Sequence, residues 1–287
     1  MDELSGRTAV ITGAASGIGA GMAEAFAEAG VDLALLDLDE ERLRRAADSL
    51  SGGGVEVRCF AADVSDRDAM KRAAAQVADA FPAVHILCNN AGVGYTGVPL
   101  DRVPDADWDW VIGVNLMGVV NGLQAFLPAM LAHGEGGHIV NSASIGGHHV
   151  MPGWRYGVYT TSKFAVVGLS EALANDLADR NIGVSLLCPA AVDTAIYDVG
   201  RNRPARFGGP YEQAPDPELA AALKAGMTPV EVGRWTIRAI LDGQLYIFPH
   251  PHTRDFIARR HDRLMAAYDW AAQVAPEIGA ATSGGRP

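Results

Sequence analysis

The sequence contains few cysteines and no excess of positive charge, and each absence excludes a class of protein. Only three of the 287 residues are cysteine, and the spacing of Cys59, Cys88 and Cys188 fits no metal site. Each lies in an apolar run, which is typical of a small buried residue in a reducing compartment. The formal net charge is −11 and the acidic residues are scattered, so a nucleic-acid partner and an acidic tail are both disfavoured.

Signals for export and membrane insertion are weak. The first residues, Met-Asp-Glu-Leu-Ser-Gly-Arg, lack the basic-then-apolar pattern of a signal peptide, which favours a cytoplasmic protein. Residues 110–132 contain no charged side chain, but glycine, asparagine, glutamine and proline interrupt them repeatedly. A membrane-spanning helix rarely carries so many polar groups, so a helix buried between a sheet and a partner subunit is the better interpretation.

Short apolar runs alternate with helical stretches along most of the chain. Strands are predicted at residues 8–12, 32–37, 56–61, 85–89, 138–142, 183–188 and 245–248. Helices are predicted at residues 18–28, 40–50, 66–80, 107–132, 159–179 and 229–241. This alternation predicts an α/β fold with a doubly wound, mostly parallel seven-stranded sheet and helices on both faces. We expect a single domain over residues 1–274, because no linker or repeat divides it.

Two segments depart from the alternation. Residues 194–228 are rich in proline, glycine and arginine and run into a short alanine-rich helix at 218–225. A long irregular excursion of this kind is typical of a lid over a binding site, and a surface insertion is the alternative. Residues 275–287 end in Ala-Thr-Ser-Gly-Gly-Arg-Pro and are predicted to form a disordered tail.

A glycine-rich turn follows the first predicted strand. The sequence at 12–19, Thr-Gly-Ala-Ala-Ser-Gly-Ile-Gly, leads directly into a helix. Glycines permit a tight turn and close approach of the main chain to a pyrophosphate, and the helix N-terminus supplies free N–H groups. The residues expected to contact a dinucleotide there are Gly13, Ser16, Gly17, Ile18 and Gly19.

Acidic residues at the ends of the next two strands indicate adenosine recognition. Asp37 stands where a carboxylate accepts hydrogen bonds from ribose hydroxyls and repels a 2′-phosphate. NAD is therefore favoured over NADP, and a helix cap is the alternative role of Asp37. Asp63 and Val64 follow the third strand and could contact the adenine amine, or Asp63 could be a simple turn residue.

A tyrosine and a lysine four residues apart form a candidate acid/base pair. Tyr159 and Lys163 share one face of a predicted helix. A neighbouring cation lowers the pKa of a phenol from its usual value of about 10, and a tyrosine tuned in this way can donate and accept protons. The spacing alone is weak evidence, because a solvated helix face gives the same pattern.

The ordered set of motifs resembles the short-chain dehydrogenase/reductase family. The glycine turn, Asp-Val at 63–64, Asn-Asn-Ala-Gly at 89–92, Asn115, Ile-Val-Asn-Ser-Ala-Ser at 139–144 and Tyr-x-x-x-Lys follow one another in the family's order. The resemblance implies a Rossmann-type fold, a nicotinamide cofactor and hydride transfer. The segments at 109–119 and 245–250 are also similar to bacterial members that oxidise aryl or benzylic secondary alcohols.

That resemblance assigns roles to individual residues. It implies that Tyr159 is the acid/base, that Lys163 lowers its pKa and binds the nicotinamide ribose, that Ser144 polarises the reacting oxygen and that Asn115 anchors a water molecule. It also implies cofactor contacts at Asn90, Ala91, Gly92, Pro189, Val192 and Thr194. Ser142 and Tyr156 are weaker rivals for the serine and tyrosine roles. Ala190 stands where the family usually has glycine, and the interval between Ser144 and Tyr159 is slightly long.

Substrate and partners are less closely specified. The residues expected to line a substrate pocket are His148, His149, Trp154, Ile196 and Tyr197, and for His148, His149 and Trp154 a surface loop is the alternative. We expect a bulky hydrophobic secondary alcohol or ketone, no metal and a homo-oligomer, either a tetramer or a dimer. The alternatives are a reductase of steroid-like or 3-oxoacyl thioester ketones, for which Arg201, Arg203 and Arg206 could form a basic patch, and a catalytically idle NAD-binding sensor.

Overall fold

A computed structural model describes residues 3–50, 53–211 and 217–283, and within them seven strands form one sheet. The strands are β1 (Thr8–Thr12), β2 (Asp32–Asp37), β3 (Val57–Ala61), β4 (Ile86–Asn89), β5 (Gly137–Ser142), β6 (Ile182–Leu187) and β7 (Tyr246–Ile247). Their order is β3-β2-β1-β4-β5-β6-β7, and every neighbouring pair is parallel. The predicted doubly wound α/β architecture is therefore confirmed.

Helices alternate with these strands along the chain, and a further helix follows β7 in the sequence. In the described part of the chain they are α1 (Gly17–Glu28), α2 (Glu40–Leu50), α3 (Arg67–Ala80), α4 (Asp105–Ile112), α5 (Gly118–His133), α6 (Gly157–Asp176), α7 (Pro217–Lys224), α8 (Pro229–Leu241) and α9 (Arg254–Ser283). The helix predicted at 107–132 is divided, because a π-helical turn at Gly113–Met117 separates α4 from α5. The sequence pattern did not predict α9.

The strands are uniformly apolar because helices bury both faces of the sheet. All five residues of β1 are buried, and successive side chains point to opposite faces. Val10 packs in one core cluster with Met70 of α3, whereas Ile11 packs in another with Phe26 of α1 and Ile240 of α8. This burial on both sides explains why the strands read as uninterrupted hydrophobic runs.

The strand order creates a crevice where the winding direction reverses. The chain winds outward from β1 to β3 and then crosses back to β4, which pairs with β1 from the other side, with Val10 opposite Leu87. Parallel strands end at one common edge, and ligands of such sheets bind outside that edge at the reversal point. The topology therefore collects the segments after β1, β2, β4, β5 and β6 at one site.

Two compact units divide the chain, residues 1–249 and residues 250–287. The first contains the sheet and helices α1 to α8, and the second contains a 3-10 turn at Pro251–Thr253 followed by α9. The expectation of one unit to residue 274 and an irregular tail from 275 differs from this, because α9 continues to Ser283; residues 284–287 lie outside the described part. Alanine, the strongest helix former, is frequent from residue 266 to 281 and favours the extended helix.

Among the residues that the structure describes, one helical stretch has the length and composition of a membrane span. Asp105–His133 has a mean hydropathy of 1.5 over its most apolar window, and half of that window is buried inside the protein. Trp110, Phe126 and Met130 of this stretch belong to the core cluster on one face of the sheet. Its apolar character is therefore explained by packing against the sheet.

Candidate active site

The glycine turn after β1 has a shape that only glycine fits at two positions. Gly13 has a φ of +68°, and a Cβ atom there would lie 2.8 Å from Cα of Ala91. A Cβ atom on Gly19 would lie 2.1 Å from the carbonyl oxygen of Gly13. Helix α1 begins at Gly17, and exposed Ser16 precedes it without making a side-chain cap. The turn therefore offers close main-chain approach and uncapped N–H groups, which is what a pyrophosphate requires.

The hydroxyl of Thr12 joins this turn to the segment after β4. It donates to the carbonyl oxygen of Cys88 at 3.3 Å and accepts the N–H groups of Asn90 and Ala91 at 2.9 and 3.0 Å. The side-chain amide of Asn90 donates back to the carbonyl oxygen of Thr12 at 3.0 Å. The two segments expected to contact a dinucleotide are thus connected. The connecting role of Thr12 depends on β1–β4 pairing and is missing from the predicted site.

Asp37 ends β2 beside the glycine turn and holds it. Its Oδ2 accepts the N–H of Ala15 and its Oδ1 accepts the N–H of Asp39, both at 3.0 Å. Burial raises the pKa of the Asp37 carboxyl, and these backbone donors partly offset that increase. The side chain that bonds an N–H in the first turn of α2 is that of Asp39, which accepts from Arg42. Asp39 therefore caps helix α2, and the Asp37 carboxylate holds the glycine turn.

Asp63 lies in the turn after β3 and has protein partners on both carboxylate oxygens. Its Oδ1 accepts the N–H and the hydroxyl of Ser65 at 2.9 and 2.6 Å, and its Oδ2 accepts from Arg206 at 2.6 Å. Val64 is buried, and a Cβ atom on Gly118 would lie 2.8 Å from its Cγ2. Asp63 is thus a turn residue as well as a candidate ligand, and its ion pair with Arg206, 143 residues away, is not visible in the sequence.

Asn115 is fully buried in the π-helical turn between α4 and α5. Its amide donates to the carbonyl oxygen of Val93 at 2.9 Å and to the hydroxyl of Ser162 at 3.0 Å, and its Oδ1 accepts the N–H of Val93 at 2.7 Å. Such π-turns are frequent at functional sites. Both amide donors of Asn115 therefore position the segment after β4 against α6.

Lys163 reaches from α6 to the end of β5. Its Nζ donates to the carbonyl oxygen of Ser142 at 2.8 Å, and its side chain is buried. A Cβ atom on Gly92 would lie 3.5 Å from this Nζ and 3.4 Å from Oδ1 of Asn115, so glycine keeps space between the two side chains. Burial lowers the pKa of Lys163 to about 8, because desolvation disfavours the charged form.

Tyr159 stands one helical turn before Lys163, with two predicted partners beside it. The Nζ of Lys163 is 5.7 Å from the centre of the tyrosine ring, and the Ser144 side chain hydrogen-bonds the phenol. The N–H of Gly146 donates to Oγ of Ser144 at 3.0 Å and fixes the serine. Burial raises the pKa of Tyr159 and the Ser144 bond lowers it only in part, so the pKa of the phenol is raised overall, whereas the sequence predicted a lowered pKa beside Lys163 and a bound cofactor.

The rival serine and tyrosine have other partners. Ser142 donates to Oδ1 of Asn90 at 3.2 Å. Tyr156 precedes α6, and its ring stacks on Trp154 with 5.0 Å between the centres. The fold therefore brings Ser144, and not Ser142, to the phenol of Tyr159.

The segment after β6 connects the two halves of the site. The carbonyl oxygen of Pro189 accepts the N–H of Ile145 at 2.9 Å, which ties the segment to the loop after β5. Val192 is buried, and Thr194 approaches the glycine turn, because a Cβ atom on Gly17 would lie 3.1 Å from its methyl group. The segment therefore extends from the loop after β5 to the glycine turn, and it carries all three of its residues that are predicted to contact the cofactor.

His148 lies over the ends of β6 and β7. Its ring centre is 5.3 Å from that of Phe248 and 6.0 Å from that of Tyr246, and its Nε2 is 3.3 Å from Sγ of Cys188. Within the described residues, no group of three or more histidine, cysteine, aspartate or glutamate side chains could hold a metal ion. The histidine therefore packs with aromatic residues near the sheet edge.

The other candidate substrate residues have different surroundings. His149 is buried, whereas Trp154 is 45% exposed. Ile196 begins a 3-10 helix, Ile196–Asn202, that also contains Tyr197. A Cβ atom on Gly94 would lie 2.7 Å from the carbonyl oxygen of Ile196, so this helix lies against the segment after β4.

The three arginines of the expected basic patch are each paired with a carboxylate. The pairs are Arg201–Asp198, Arg203–Asp107 and Arg206–Asp63. Arg203 is nearly buried, with 11% of its side chain exposed. The expected basic patch is therefore wrong: Arg203 and Arg206 fasten their segment to the rest of the protein, and Arg201 is paired within the segment, so none of the three presents a free cation.

The chain belongs to the short-chain dehydrogenase family. The family model for short chain dehydrogenases matches residues 7–203, which include the glycine turn, Asn115, Ser144, Tyr159 and Lys163. The protein is therefore an oxidoreductase with the Rossmann-like fold of that family.

Individual relatives are similar over most of their length. The C alpha-dehydrogenase of Sphingobium sp. (strain NBRC 103272 / SYK-6) is 35% identical over 272 residues, which cover 92% of this chain and 87% of the relative. A short-chain dehydrogenase/reductase from Burkholderia phymatum, solved in complex with NAD, is 40% identical with a TM-score of 0.87, covering 93% of this chain and 97% of that chain. An alcohol dehydrogenase from the archaeon Thermococcus sibiricus, solved with 5-hydroxy-NADP, is 28% identical with a TM-score of 0.68, covering 84% and 95%.

Proposed function

We propose that this protein transfers a hydride between NAD and a bulky hydrophobic secondary alcohol or the corresponding ketone. The supporting observation is an arrangement of four side chains at the sheet edge where the winding of the chain reverses. They are Asn115, Ser144, Tyr159 and Lys163. The Ser144 side chain bonds the Tyr159 phenol, and the buried Lys163 ammonium lies 5.7 Å from its ring. A catalytically idle NAD-binding sensor would not need this complete set.

The side chains around Tyr159 suit proton transfer at the substrate oxygen. In the oxidative direction, the phenolate oxygen of Tyr159 would accept the proton of the substrate hydroxyl, while Ser144 would hydrogen-bond the substrate oxygen. A bound NAD supplies the acceptor for the hydride that leaves the alcohol carbon. The positive charge of Lys163 favours the phenolate and so opposes the pKa increase caused by burial. A water molecule near Asn115 and Lys163 would then pass the proton to solvent.

The residues present fit a dinucleotide, because Gly13 and Gly19 allow the turn to pack tightly and the N-terminus of α1 has no side-chain cap that would compete with a pyrophosphate. The residues that would hold NAD are Gly13, Ser16, Gly17, Ile18, Gly19, Asp37, Asp63, Val64, Asn90, Ala91, Gly92, Tyr159, Lys163, Pro189, Val192 and Thr194. Asp37 supports NAD over NADP, since its carboxylate would accept ribose hydroxyls and repel a 2′-phosphate. Relatives with either cofactor are known, so the preference rests on this residue.

The substrate proposal rests on apolar and aromatic side chains in the loops that border the site. Trp154 and Val150 are exposed near the start of α6. The lid expected at residues 194–228, of which 212–216 lie outside the described residues, would supply further apolar side chains. A panel of aryl and aliphatic secondary alcohols, offered with NAD or NADP and followed by absorbance of the reduced cofactor, tests the proposal. We expect NAD reduction with bulky secondary alcohols; turnover only with 3-oxoacyl thioesters or steroid-like ketones would contradict it.

We also propose a cytoplasmic homo-oligomer, a dimer or tetramer, that uses α5 and α6. Leu123 of α5, and Phe164 and Leu169 of α6, are partly exposed on these helices. Association would cover such apolar surface. The three free cysteines support a reducing compartment. Light scattering coupled to size exclusion measures the mass in solution, and a monomer would contradict the assembly.

A further inference from the structure

Residues 196–211, which we call the crossing segment, extend from the segment after β4, where the carbonyl oxygen of Ile196 approaches Gly94, to the turn after β3. The segment begins with the 3-10 helix Ile196–Asn202 and continues to a second 3-10 turn, Ala205–Phe207, whose Arg206 contacts Asp63 after β3. In the sheet, β3 and β4 are separated by two strands, so at about 4.8 Å per spacing their ends are about 14 Å apart. One short segment thus connects the region after β4 with the turn after β3.

The first attachment of the crossing segment is buried. The Nη2 of Arg203 lies 2.6 Å from Oδ1 of Asp107, and 11% and 12% of the two side chains are exposed. The hydroxyl of Tyr95 donates to Oδ2 of Asp107 at 2.5 Å. The guanidinium carbon also lies 5.5 Å from the ring centre of Trp110 and 5.4 Å from that of Tyr211. Breaking this buried ion pair would leave a charge unpaired inside the protein and would cost much free energy. Arg203 therefore anchors the segment to α4.

The second attachment is at the tip of the segment and is more exposed. The Nη2 of Arg206 donates to Oδ2 of Asp63 at 2.6 Å and to Oγ of Ser65 at 2.7 Å, with 46% of the arginine side chain exposed. Its guanidinium also lies 4.6 Å from the ring centre of Phe207. Because exposed ion pairs are weak and screened by salt, this contact opens more readily than the Arg203 anchor.

We propose that Arg206 is a positioning residue for the dinucleotide: its contact with Asp63 closes the adenosine end of the crevice and limits the rate at which the cofactor leaves. The inference rests on the proposed function, in which Asp63 contacts the adenine amine. Ser65 occupies Oδ1 of Asp63, and Arg206 orients Oδ2. A carboxylate oxygen has two acceptor positions, so Oδ2 can receive an amine proton without losing the arginine.

Release of the cofactor then requires the tip of the crossing segment to lift while its base remains fixed. Arg206 has to leave Asp63 and Ser65 in that step, whereas Arg203 stays on Asp107. Arg206 therefore acts on cofactor retention through Asp63 and takes no part in proton or hydride transfer.

NADH release measured by stopped-flow fluorescence, with excess NAD as the displacing ligand, tests this role in the full-length protein. We expect Arg206→Ala to release NADH about five- to tenfold faster, the loss of one charged hydrogen-bonding group, with an unchanged thermal midpoint. Arg206→Lys should lie between the two. Arg201→Ala is the matched control, because Arg201 pairs with Asp198 inside the crossing segment.

The salt dependence of NADH release distinguishes retention of the cofactor by an ion pair from a general loosening of the crossing segment. Added NaCl should accelerate NADH release from the wild type and have much less effect on Arg206→Ala. An unchanged or slower release from Arg206→Ala, or equal acceleration by Arg201→Ala, would overturn the proposal while leaving the proposed function intact. If the wild type binds no NADH, the proposed function fails and this inference fails with it.

Discussion

The ammonium nitrogen of Lys163 donates a hydrogen bond of 2.8 Å to the main-chain carbonyl of Ser142. Ser142 is the last residue of β5, and Ser144, two residues later, hydrogen-bonds the phenol of Tyr159. One strand end therefore supports the lysine and supplies the partner of the tyrosine. Groups held by a central strand keep their separation more precisely than groups on loops, which is what proton transfer requires.

Replacing Tyr159 with phenylalanine removes only the hydroxyl group. We expect turnover to fall by about 100- to 10,000-fold, the usual contribution of a general acid/base, while NADH affinity changes little. Tyr156→Phe is the control and should retain nearly full turnover, because the substitution keeps the aromatic ring that stacks on Trp154. Steady-state kinetics and a fluorescence titration measure both quantities, and a fully active Tyr159→Phe would refute the assigned role.

Replacing Asp37 with asparagine should shift cofactor preference towards NADP. The change removes the negative charge beside the ribose but keeps one acceptor oxygen for the N–H groups of Ala15 or Asp39. We expect the ratio of the NADP and NAD dissociation constants to fall about tenfold, in line with the loss of one charged interaction. Asp32→Asn, at the other end of β2, changes net charge equally and should leave the ratio unchanged; an equal shift in both variants would mean that only overall charge matters.

Alanine at Gly13 should be more harmful than alanine at Gly134. Both glycines have positive φ values, +68° and +72°, so both variants incur about 1–2 kcal/mol of backbone strain. At Gly13 the new Cβ would also lie 2.8 Å from Cα of Ala91, whereas at Gly134 nothing lies within 4 Å. Urea unfolding should show an additional loss of about 1–3 kcal/mol for Gly13→Ala, with loss of NADH binding. Equal losses would argue against the close packing of the turn.

The buried lysine should make stability depend on pH in the alkaline range. The pKa of Lys163 is lowered from 10.5 to about 8, so between these values the unfolded chain binds more protons than the folded protein. The contribution of this group to the free energy of unfolding therefore rises with pH across that window, by about 1.4 kcal/mol per unit at most. We expect the free energy of unfolding of the wild type, minus that of Lys163→Met, to increase from pH 8 to 10. A flat difference would contradict the pKa shift.

The sheet and the glycine turn could be predicted from sequence because their signals are local. Apolar runs, helical periodicity and the Thr-Gly-x-x-x-Gly-x-Gly spacing each lie within a few residues. The direction of the Tyr159 pKa shift could not be predicted, because it depends on how deeply the fold buries the ring. The division of the helix at Gly113–Met117 is also invisible, since no proline or charge marks the π-turn.

Contacts between distant segments account for the rest of what sequence reasoning missed. Nothing in the local sequence distinguishes Arg203 and Arg206 from solvent-exposed arginines. Only the fold brings them to Asp107 and Asp63. Helix α9 was also missed, and its last residues fall in the stretch 275–287 that was predicted to be disordered from its Gly-Gly-Arg-Pro ending. Charged residues in long connections are therefore the least predictable part of this site.

The bond between Thr12 and Asn90 has a consequence for how the protein folds. These residues are 78 positions apart, so their contact closes a long loop, whereas β1 and β2 pair over a much shorter one. Contacts distant in sequence form slowly, because chain entropy is lost before they stabilise anything. We expect NADH binding to return only in the last phase of refolding, after most of the helical circular dichroism signal, and binding that accompanies the first helical signal would contradict this order.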